Sequence, residues 1–254
     1  MTVRTAAAIA SLAAGLAMAG CSSFYEIAVE TPIQAKIDVS AFQRVLVAGF
    51  LTGGAKTIDA NTETARLLRS QLRSKQDMRV VDTDALSLVD EFDRRHGTIA
   101  KVASGPDAEP RIKTEKDLES YEQIFNDAEY WKQVGADYQG PLIVTGSIMF
   151  TEISKSAVVS VPTSSVNEQG MEEYRSTRTY SNMKGYALSP KFVFIDGRTG
   201  AQLYSESYHE ETLYPSGQNT PALSSYFELM DKILPSFLNT LSSQKIRGSR
   251  VLLK

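Results

Sequence analysis

The chain has 254 residues, of which 42% are hydrophobic and 22% are charged, a balance that permits a buried core and excludes a disordered or fibrous protein. Its 27 basic and 30 acidic residues give a net charge of −3, so there is no overall positive field to hold nucleic acid or an anionic membrane. One cysteine and two histidines exclude an internal disulfide and a zinc site of the usual Cys/His kind. We expect no cofactor, while carboxylate-only calcium or magnesium sites stay open.

Residues 1–20 have the pattern of a signal peptide. One positive charge, Arg4, precedes an uncharged alanine-rich run that is too short to span a membrane and ends in small residues. The only cysteine, Cys21, follows directly in Leu16-Ala17-Met18-Ala19-Gly20-Cys21. This resembles a bacterial lipobox, in which the cysteine is acylated and becomes the first residue of the mature protein. The alternative is ordinary secretory cleavage after Ala19, which would leave a free thiol.

The residues after Cys21 predict where the anchor is held. Ser22 and Ser23 stand there without an aspartate, which resembles sorting to the outer membrane. We therefore expect a lipid-anchored protein on the periplasmic face of the outer membrane. Residues 21–43 are predicted to form a short tether, part of which pairs as an edge strand, and residues 44–254 a single α/β domain.

The first half of this domain alternates strands and helices. Val45–Phe50 is a continuous apolar run, as expected of a strand buried on both faces. Asn61 or Thr62 is predicted to cap a helix that leads to a second strand at Met78–Val81. A second helix is predicted from Asp82 or Thr83 to Gly97. The order strand, helix, strand, helix indicates parallel pairing.

The second half begins with a predicted loop over residues 97–113 and a helix that starts at the Thr114–Asp117 capping box and reaches about Val134. Leu142–Phe150 is predicted as a central strand. Residues 151–185, rich in serine and threonine, are predicted to form a long polar hairpin. A second hairpin is predicted over 186–196 and 201–211, and Thr220-Pro221 starts a C-terminal amphipathic helix. Val251-Leu252-Leu253 would form a late strand.

Gly49–Thr57 nearly matches a phosphate-binding loop. The segment has one residue too many before Lys56, and the next helix begins too far away for its amides to reach a phosphate. A flexible connecting loop is the simpler interpretation. No serine lies in a nucleophile elbow, and Cys21 is committed to the lipid, so nucleophilic catalysis has no candidate.

Two further groups of polar residues have simpler interpretations than catalysis. Asp90, Glu91 and Asp93 next to Arg94, Arg95 and His96 are typical of a solvated helix end. His209 lies in a strand, where alternation places it on the face opposite Tyr208. We therefore predict a protein that is not an enzyme.

The tyrosines of residues 174–227 are candidates for partner binding, because tyrosine offers contact area at a low entropy cost. They are Tyr174, Tyr180, Tyr186, Tyr204, Tyr208 and Tyr214. Packing of half-buried strand tyrosines is the simpler alternative. The contact surface is predicted on the polar hairpin, with Tyr174, Tyr180, Tyr186, Arg175 and Arg178.

The order of these elements carries a family resemblance. The lipobox, Val45–Phe50, Gly135-Ala136-Asp137-Tyr138 before Leu142–Ile148, and Ile195–Gly200 in a hairpin turn stand in the same order as in one group of envelope lipoproteins. The chain resembles the curli secretion channel, the lipoprotein activator of penicillin-binding proteins and the N-terminal domain of TolB. The resemblance implies a three-layer α/β domain with a mixed sheet, and no catalytic residues transfer.

The resemblance implies a protein that acts by binding and assembly. We predict an accessory or scaffold lipoprotein of envelope assembly or export, whose partner is an envelope protein or a component of peptidoglycan synthesis or export. The alternative is a homo-oligomeric export channel of the curli type. Charged residues in 151–185 and the lack of apolar-out alternation disfavour that pore.

Overall fold

The computed structural model describes residues 24–55, 57–75, 78–97, 111–166, 169–215, 217–242 and 244–253. Contacts divide it into two units, one formed by Lys36–Ser242 and one by the segments before and after it. In chain order the elements are β1 (Phe24–Ile33), β2 (Arg44–Gly54), α1 (Ala60–Lys75), β3 (Arg79–Val80), α2 (Leu88–His96), α3 (Glu115–Tyr121), a 3₁₀ turn (Glu122–Asn126), α4 (Ala128–Asp137), β4 (Leu142–Val166), β5 (Glu172–Asp196), β6 (Gln202–Ser207), β7 (Glu210–Pro215), α5 (Ala222–Leu241) and β8 (Gln244–Leu253).

The central unit is built on a mixed sheet in the order β3-β2-β4-β5-β6. Strand β2 is parallel to β3 and β4, and β5 is antiparallel to β4. Strands β6 and β7 follow each other along the outer edge of β5. The predicted parallel pairing of the first strands and the mixed sheet are confirmed.

Helices cover both faces of this sheet. On one face α1 and α5 pack on β2, β4 and β5 through a cluster that includes Leu68, Phe150, Phe192 and Phe237. On the other face α2, α3, the 3₁₀ turn and α4 pack through a cluster that includes Leu46 and Trp131. The predicted three-layer α/β architecture is therefore confirmed. Within the described residues, no helix is both long and apolar enough to cross a membrane.

Two helices start elsewhere than predicted. The Asp59 carboxylate, rather than Asn61 or Thr62, caps α1 by accepting from the amide of Thr62 at 3.2 Å. Helix α2 starts at Leu88 instead of Asp82 or Thr83. The intervening residues form neither helix nor strand, and the amide of Leu86 donates to the carbonyl of Ala48 in β2 at 2.6 Å. This long-range bond outweighs the local helical pattern.

The helix predicted from Thr114 is broken into three pieces. The capping box of Thr114 and Asp117 is present and starts α3. The 3₁₀ turn then redirects the chain, and α4 begins after Asp127, whose side chain accepts from the amide of Tyr130. Trp131 is fully buried, and its indole nitrogen donates to the carbonyl of Ile124 at 2.8 Å.

The strands after residue 142 differ in length from the prediction. The central strand, predicted to end at Phe150, continues as β4 to Val166 and pairs with β5 over its whole length. The strand predicted over 201–211 is divided into β6 and β7 at Tyr208 and His209. In the turn before it, Gly200 has a φ of +75°, a conformation that favours glycine.

The second unit is a two-stranded antiparallel ribbon of β1 and β8, paired from Phe24↔Leu253 to Ile33↔Gln244. The tether predicted over residues 21–43 thus contains a strand, and the strand predicted at 251–253 is the end of β8. The signal peptide predicted over 1–20 and the lipidation site Cys21 lie outside the described residues.

Candidate partner-binding hairpin

Strands β4 and β5 form one uninterrupted hairpin of 25 residues per strand, in constant register from Leu142↔Asp196 to Val166↔Glu172. Strand β2 accompanies β4 only to Phe150, and β7 accompanies β5 only as far out as Met183. Beyond these points no other described strand pairs with the ribbon. We call residues 156–166 and 172–182 the projecting hairpin. At ~3.3 Å per residue, it extends about 35 Å beyond the sheet.

The constant register determines which side chains share a face. Side chains alternate along a strand, so Tyr174, Arg178, Tyr180 and Tyr186 lie on one face, and Arg175 lies on the other. The even-numbered face is continuous with the side of the sheet that α1 and α5 cover. Four of the five predicted binding residues therefore share a face of the hairpin, and Arg175 lies on the opposite face.

The three tyrosines of this face differ in burial. Tyr174 and Tyr180 are 74% and 84% exposed, and Tyr180 makes no hydrogen bond to another described residue. The ring of Tyr186 stacks on Phe150, with centroids 4.9 Å apart and planes 8° apart. Tyr174 and Tyr180 are thus available for contact, whereas Tyr186 packs at the base of the hairpin. Their role in binding stays a prediction.

The other tyrosines of the predicted surface are half-buried, as the simpler interpretation expects. Tyr204 and Tyr208 pack beside Phe194 and Phe192. Tyr214 on β7 donates to the Glu228 carboxylate of α5 at 2.6 Å. This hydrogen bond, together with one from Thr212, holds the pKa of Glu228 below its usual value.

The hairpin shaft has a charge opposite to that of the whole chain. We call residues 153–166 and 174–185 the shaft; they contain no acidic residue and four basic ones, Lys155, Arg175, Arg178 and Lys184, while Glu172 and Glu173 lie beyond them at the outer end of β5. Lys155 is paired with Glu211 at 2.6 Å. Arg178 and Lys184 form no ion pair with any described residue. The shaft is therefore basic on a net acidic protein.

A cavity of about 660 Å³ lies where the hairpin leaves the sheet. We call it the root pocket. Its walls come from three elements and one loop: Glu152 and Ser154 of β4, Lys184 and Tyr186 of β5, Tyr214 of β7, and residues 217–220. Burial, and then the nearby Glu152 carboxylate, raise the pKa of Tyr186. Sequence reasoning missed this pocket, because its walls are up to 68 residues apart and share no motif.

The near-match to a phosphate-binding loop forms no such loop. Gly49 to Gly54 are part of β2 and pair with β4, so the predicted connecting loop begins only after them. A bulge between Val47 and Gly49 is clamped by Asn61, whose side chain accepts from the amide of Phe50 at 2.7 Å and donates to the carbonyl of Leu86 at 3.1 Å. Lys56 lies outside the described residues.

The charged end of α2 is an ion-pair surface. Arg111 bonds Asp90 at 2.7 Å and Asp93 at 2.8 Å, and Arg95 bonds Glu91 and Asp127, each at 2.9 Å. The hydrogen bond from Ser87, followed by Arg111, holds the pKa of Asp90 below its usual value. These contacts agree with a solvated, structural role for this cluster.

Two polar groups on the odd-numbered face of the sheet escaped the sequence analysis. Ser189 Oγ lies 2.8 Å from His209 Nδ1, and the buried Ser147 donates to Glu122 at 2.6 Å. Lys191 bonds the same Glu122 carboxylate at 2.6 Å. No described carboxylate bonds the other ring nitrogen of His209, so the Ser–His pair lacks the third member of a catalytic triad. Among the described residues, no cluster of His, Cys, Asp and Glu could hold a metal ion.

No protein-family model and no curated protein matches the chain. Among solved structures, the LpoB C-terminal domain from Salmonella enterica is 9% identical over 71% of this chain and 86% of its own, with a TM-score of 0.27. Lipoprotein GNA1162 from Neisseria meningitidis is 13% identical over 79% and 99%, with a TM-score of 0.32. A PelC dodecamer from Paraburkholderia phytofirmans is 12% identical over 87% and 100%, with a TM-score of 0.36.

The GNA1162 structure is that of a lipoprotein. Because every TM-score is below 0.5, these likenesses carry no argument about what this chain does.

Proposed function

We propose that this chain is a lipid-anchored accessory protein of the bacterial envelope, which acts without catalysis by holding a partner protein on its projecting hairpin. The observation that carries the proposal is the hairpin itself. A two-stranded ribbon without a third strand or a covering helix is only marginally stable in water. The projecting hairpin nevertheless continues through 11 regular residue pairs, from Ser156↔Asn182 to Val166↔Glu172, which favours a second surface that covers it in the cell.

The side chains of the hairpin suit contact with a protein. Tyr174 and Tyr180 supply exposed aromatic area, and Arg178 is an unpaired donor on the same face. Tyrosine and arginine are the residue types that most often dominate protein interfaces. The Ser/Thr-rich strand β4 opposite them supplies additional hydrogen-bonding groups.

The proposed lipid anchor is argued from residues 1–21 of the sequence. An acylated Cys21 would hold the domain at the outer membrane without a basic membrane-binding patch. Replacing Cys21 by serine is expected to abolish incorporation of labelled palmitate and to release the protein from the membrane fraction. A Cys21→Ser protein that still takes up palmitate would contradict the anchor.

The second candidate function is a homo-oligomeric export channel, favoured by one observation, the two unpaired edges of the hairpin. The basic shaft disfavours a channel, because copies packed side by side would bring Arg178 and Lys184 of each copy next to one another.

Site-specific photo-crosslinking in intact cells tests the proposal. A photoreactive residue at Tyr180, on the free face of the hairpin, is compared with one at Leu203, which is 44% exposed on β6. We expect an adduct with a different envelope protein from position 180 and none from position 203. A ladder of self-adducts of fixed final size would favour the channel. The same adducts from both positions would refute a specific role for the hairpin.

A further inference from the structure

The two long edges of the projecting hairpin are not equivalent. In β4, the carbonyl of Phe150 accepts from the amide of Ala55 at 2.7 Å, so even-numbered residues of β4 direct their backbone groups away from β5. In β5, the carbonyl of Pro190 accepts from the amide of Tyr208 at 2.8 Å, so its even-numbered residues point away from β4. Because backbone direction alternates along an antiparallel strand, both edges beyond the sheet are lined by even-numbered residues.

Pro162 interrupts the outer edge of β4. Its number is even, so the N–H that proline lacks would have pointed to that edge. Proline at such a position is a known way to blunt an exposed strand edge. Between residues 172 and 189, β5 has no proline. Its outer edge therefore presents an unbroken row of donors and acceptors, from residues 174, 176, 178, 180 and 182.

The charge beside this edge indicates what kind of strand fits it. Arg178 lies on this edge and Lys184 at its inner end, and neither forms an ion pair with a described residue. No acidic residue lies between 174 and 185, and Glu172 and Glu173 stand at the outer end of β5. Opposite charges on neighbouring strands stabilise pairing, and like charges destabilise it. A second copy paired along this edge would bring its own Arg178 and Lys184 close to those of the first, whereas an acidic segment would place carboxylates beside them.

The root pocket lies at the inner end of the same edge. Strand β7 occupies the outer side of β5 from Leu188 to Met183 and ends at Pro215. A strand added beyond Met183 would continue the line of β7, and its inner end would reach the pocket wall formed by Lys184 and Tyr214.

We infer that the outer edge of β5 binds an extended, acidic segment of a partner protein by strand addition, with the innermost side chain of that segment in the root pocket. This inference rests on the proposed function and specifies how the hairpin holds its partner. Backbone hydrogen bonds supply affinity in such complexes, and the flanking side chains and the pocket supply specificity.

Proline substitution at an even-numbered position of β5 tests strand addition directly. Ser176→Pro removes an outward N–H and leaves the bonds between β4 and β5 intact, while Ser176→Thr keeps that N–H. With the photoreactive residue at position 180 of the full chain in cells, Ser176→Pro is expected to lower the partner adduct at least tenfold, and Ser176→Thr to leave it unchanged. Asn182→Pro provides a second outward position. Each variant must retain the wild-type melting temperature.

The outcomes separate the inference from the proposed function. Partner adducts that persist in both folded proline variants would overturn strand addition and leave the accessory role intact. Absence of any partner adduct from the wild-type chain would overturn both. Mass spectrometry of the crosslinked peptide is expected to show an acidic segment, and a segment without Asp or Glu, or one from a second copy of this chain, would overturn the inference.

Hydrogen exchange provides a measurement that does not depend on how a variant folds. On addition of a synthetic peptide with the sequence of the crosslinked segment, the amides of residues 174, 176, 178, 180 and 182 are expected to gain protection. Protection of the odd-numbered amides alone, or no change, would contradict strand addition.

Discussion

Pro162 and Ser176 are directly opposite each other in the projecting hairpin, and their backbone groups point to opposite edges of it. At the outer edge of β4, Pro162 has no N–H to donate, whereas at the outer edge of β5 the N–H of Ser176 is available to a partner strand. A single pair of residues therefore distinguishes a blunted edge from an edge that can accept a strand.

The hairpin is expected to be dispensable for folding. Lys155 and Met183 are paired across the ribbon, so an Asn-Gly turn can replace residues 156–182. The described residues of that segment contribute nothing to either buried cluster. We expect a folded protein whose melting temperature, measured by circular dichroism, lies within about 4 °C of wild type, equivalent to about 1 kcal/mol. Loss of cooperative unfolding would show that the hairpin belongs to the core.

Two tyrosines on the same face of β5 should respond differently to truncation. Tyr186→Ala removes a ring stacked on Phe150, and we expect a loss of about 2 kcal/mol in the free energy of unfolding. Tyr180→Ala removes an exposed ring and should change that free energy by less than about 0.5 kcal/mol. Urea denaturation measures both. Similar losses for the two variants would contradict the difference in burial.

The clamp at the β2 bulge is expected to be a strong local determinant of stability. Asn61→Ala leaves the amide of Phe50 and the carbonyl of Leu86 without their partner, at a cost of about 2–4 kcal/mol. Thr62→Ala, at an exposed neighbouring position, is the control and should cost less than about 0.5 kcal/mol. Chemical denaturation measures the free energy of unfolding of both variants. Loss of a simple helix cap, the role that the sequence predicted for Asn61, would cost only about 1 kcal/mol.

The stability that the contact between β7 and α5 contributes should depend on pH. Glu228 accepts from Tyr214 and Thr212, and its folded-state pKa lies below the ordinary value of 4.5. Its stabilising contribution is therefore complete above that ordinary value and is lost as the pH falls through the folded-state pKa. Glu228→Gln should destabilise the protein at neutral pH, and the difference from wild type should shrink in acid.

Thermal unfolding between pH 7 and pH 3 measures this difference. Asp231→Asn, which removes another exposed carboxylate from α5, controls for the change in net charge. If the difference in melting temperature between wild type and Glu228→Gln stayed constant over this range, it would contradict the role assigned to the Glu228 carboxylate.

Much of the architecture could be predicted from local pattern, and the failures have a common cause. Continuous apolar runs correctly indicated buried strands, and the capping box at Thr114 correctly placed the start of α3. Helix α2 was predicted too early because the bond from Leu86 to Ala48 joins residues far apart in sequence. Gly135 shows the same limit, since helix propensity would favour alanine there, yet a Cβ would lie 1.8 Å from the carbonyl oxygen of Gly197.

The sequence by itself determined the long polar hairpin, its basic shaft and, through the two-residue period of a strand, the face that Tyr174, Arg178 and Tyr180 share. Only the tertiary structure decided that β2 and β7 end where the hairpin projects, that Tyr186 packs on Phe150, and that β4, β5, β7 and the loop at 217–220 enclose a pocket. The physical reason is range: side-chain alternation is a property of neighbouring residues, whereas open edges and cavities depend on where distant segments end.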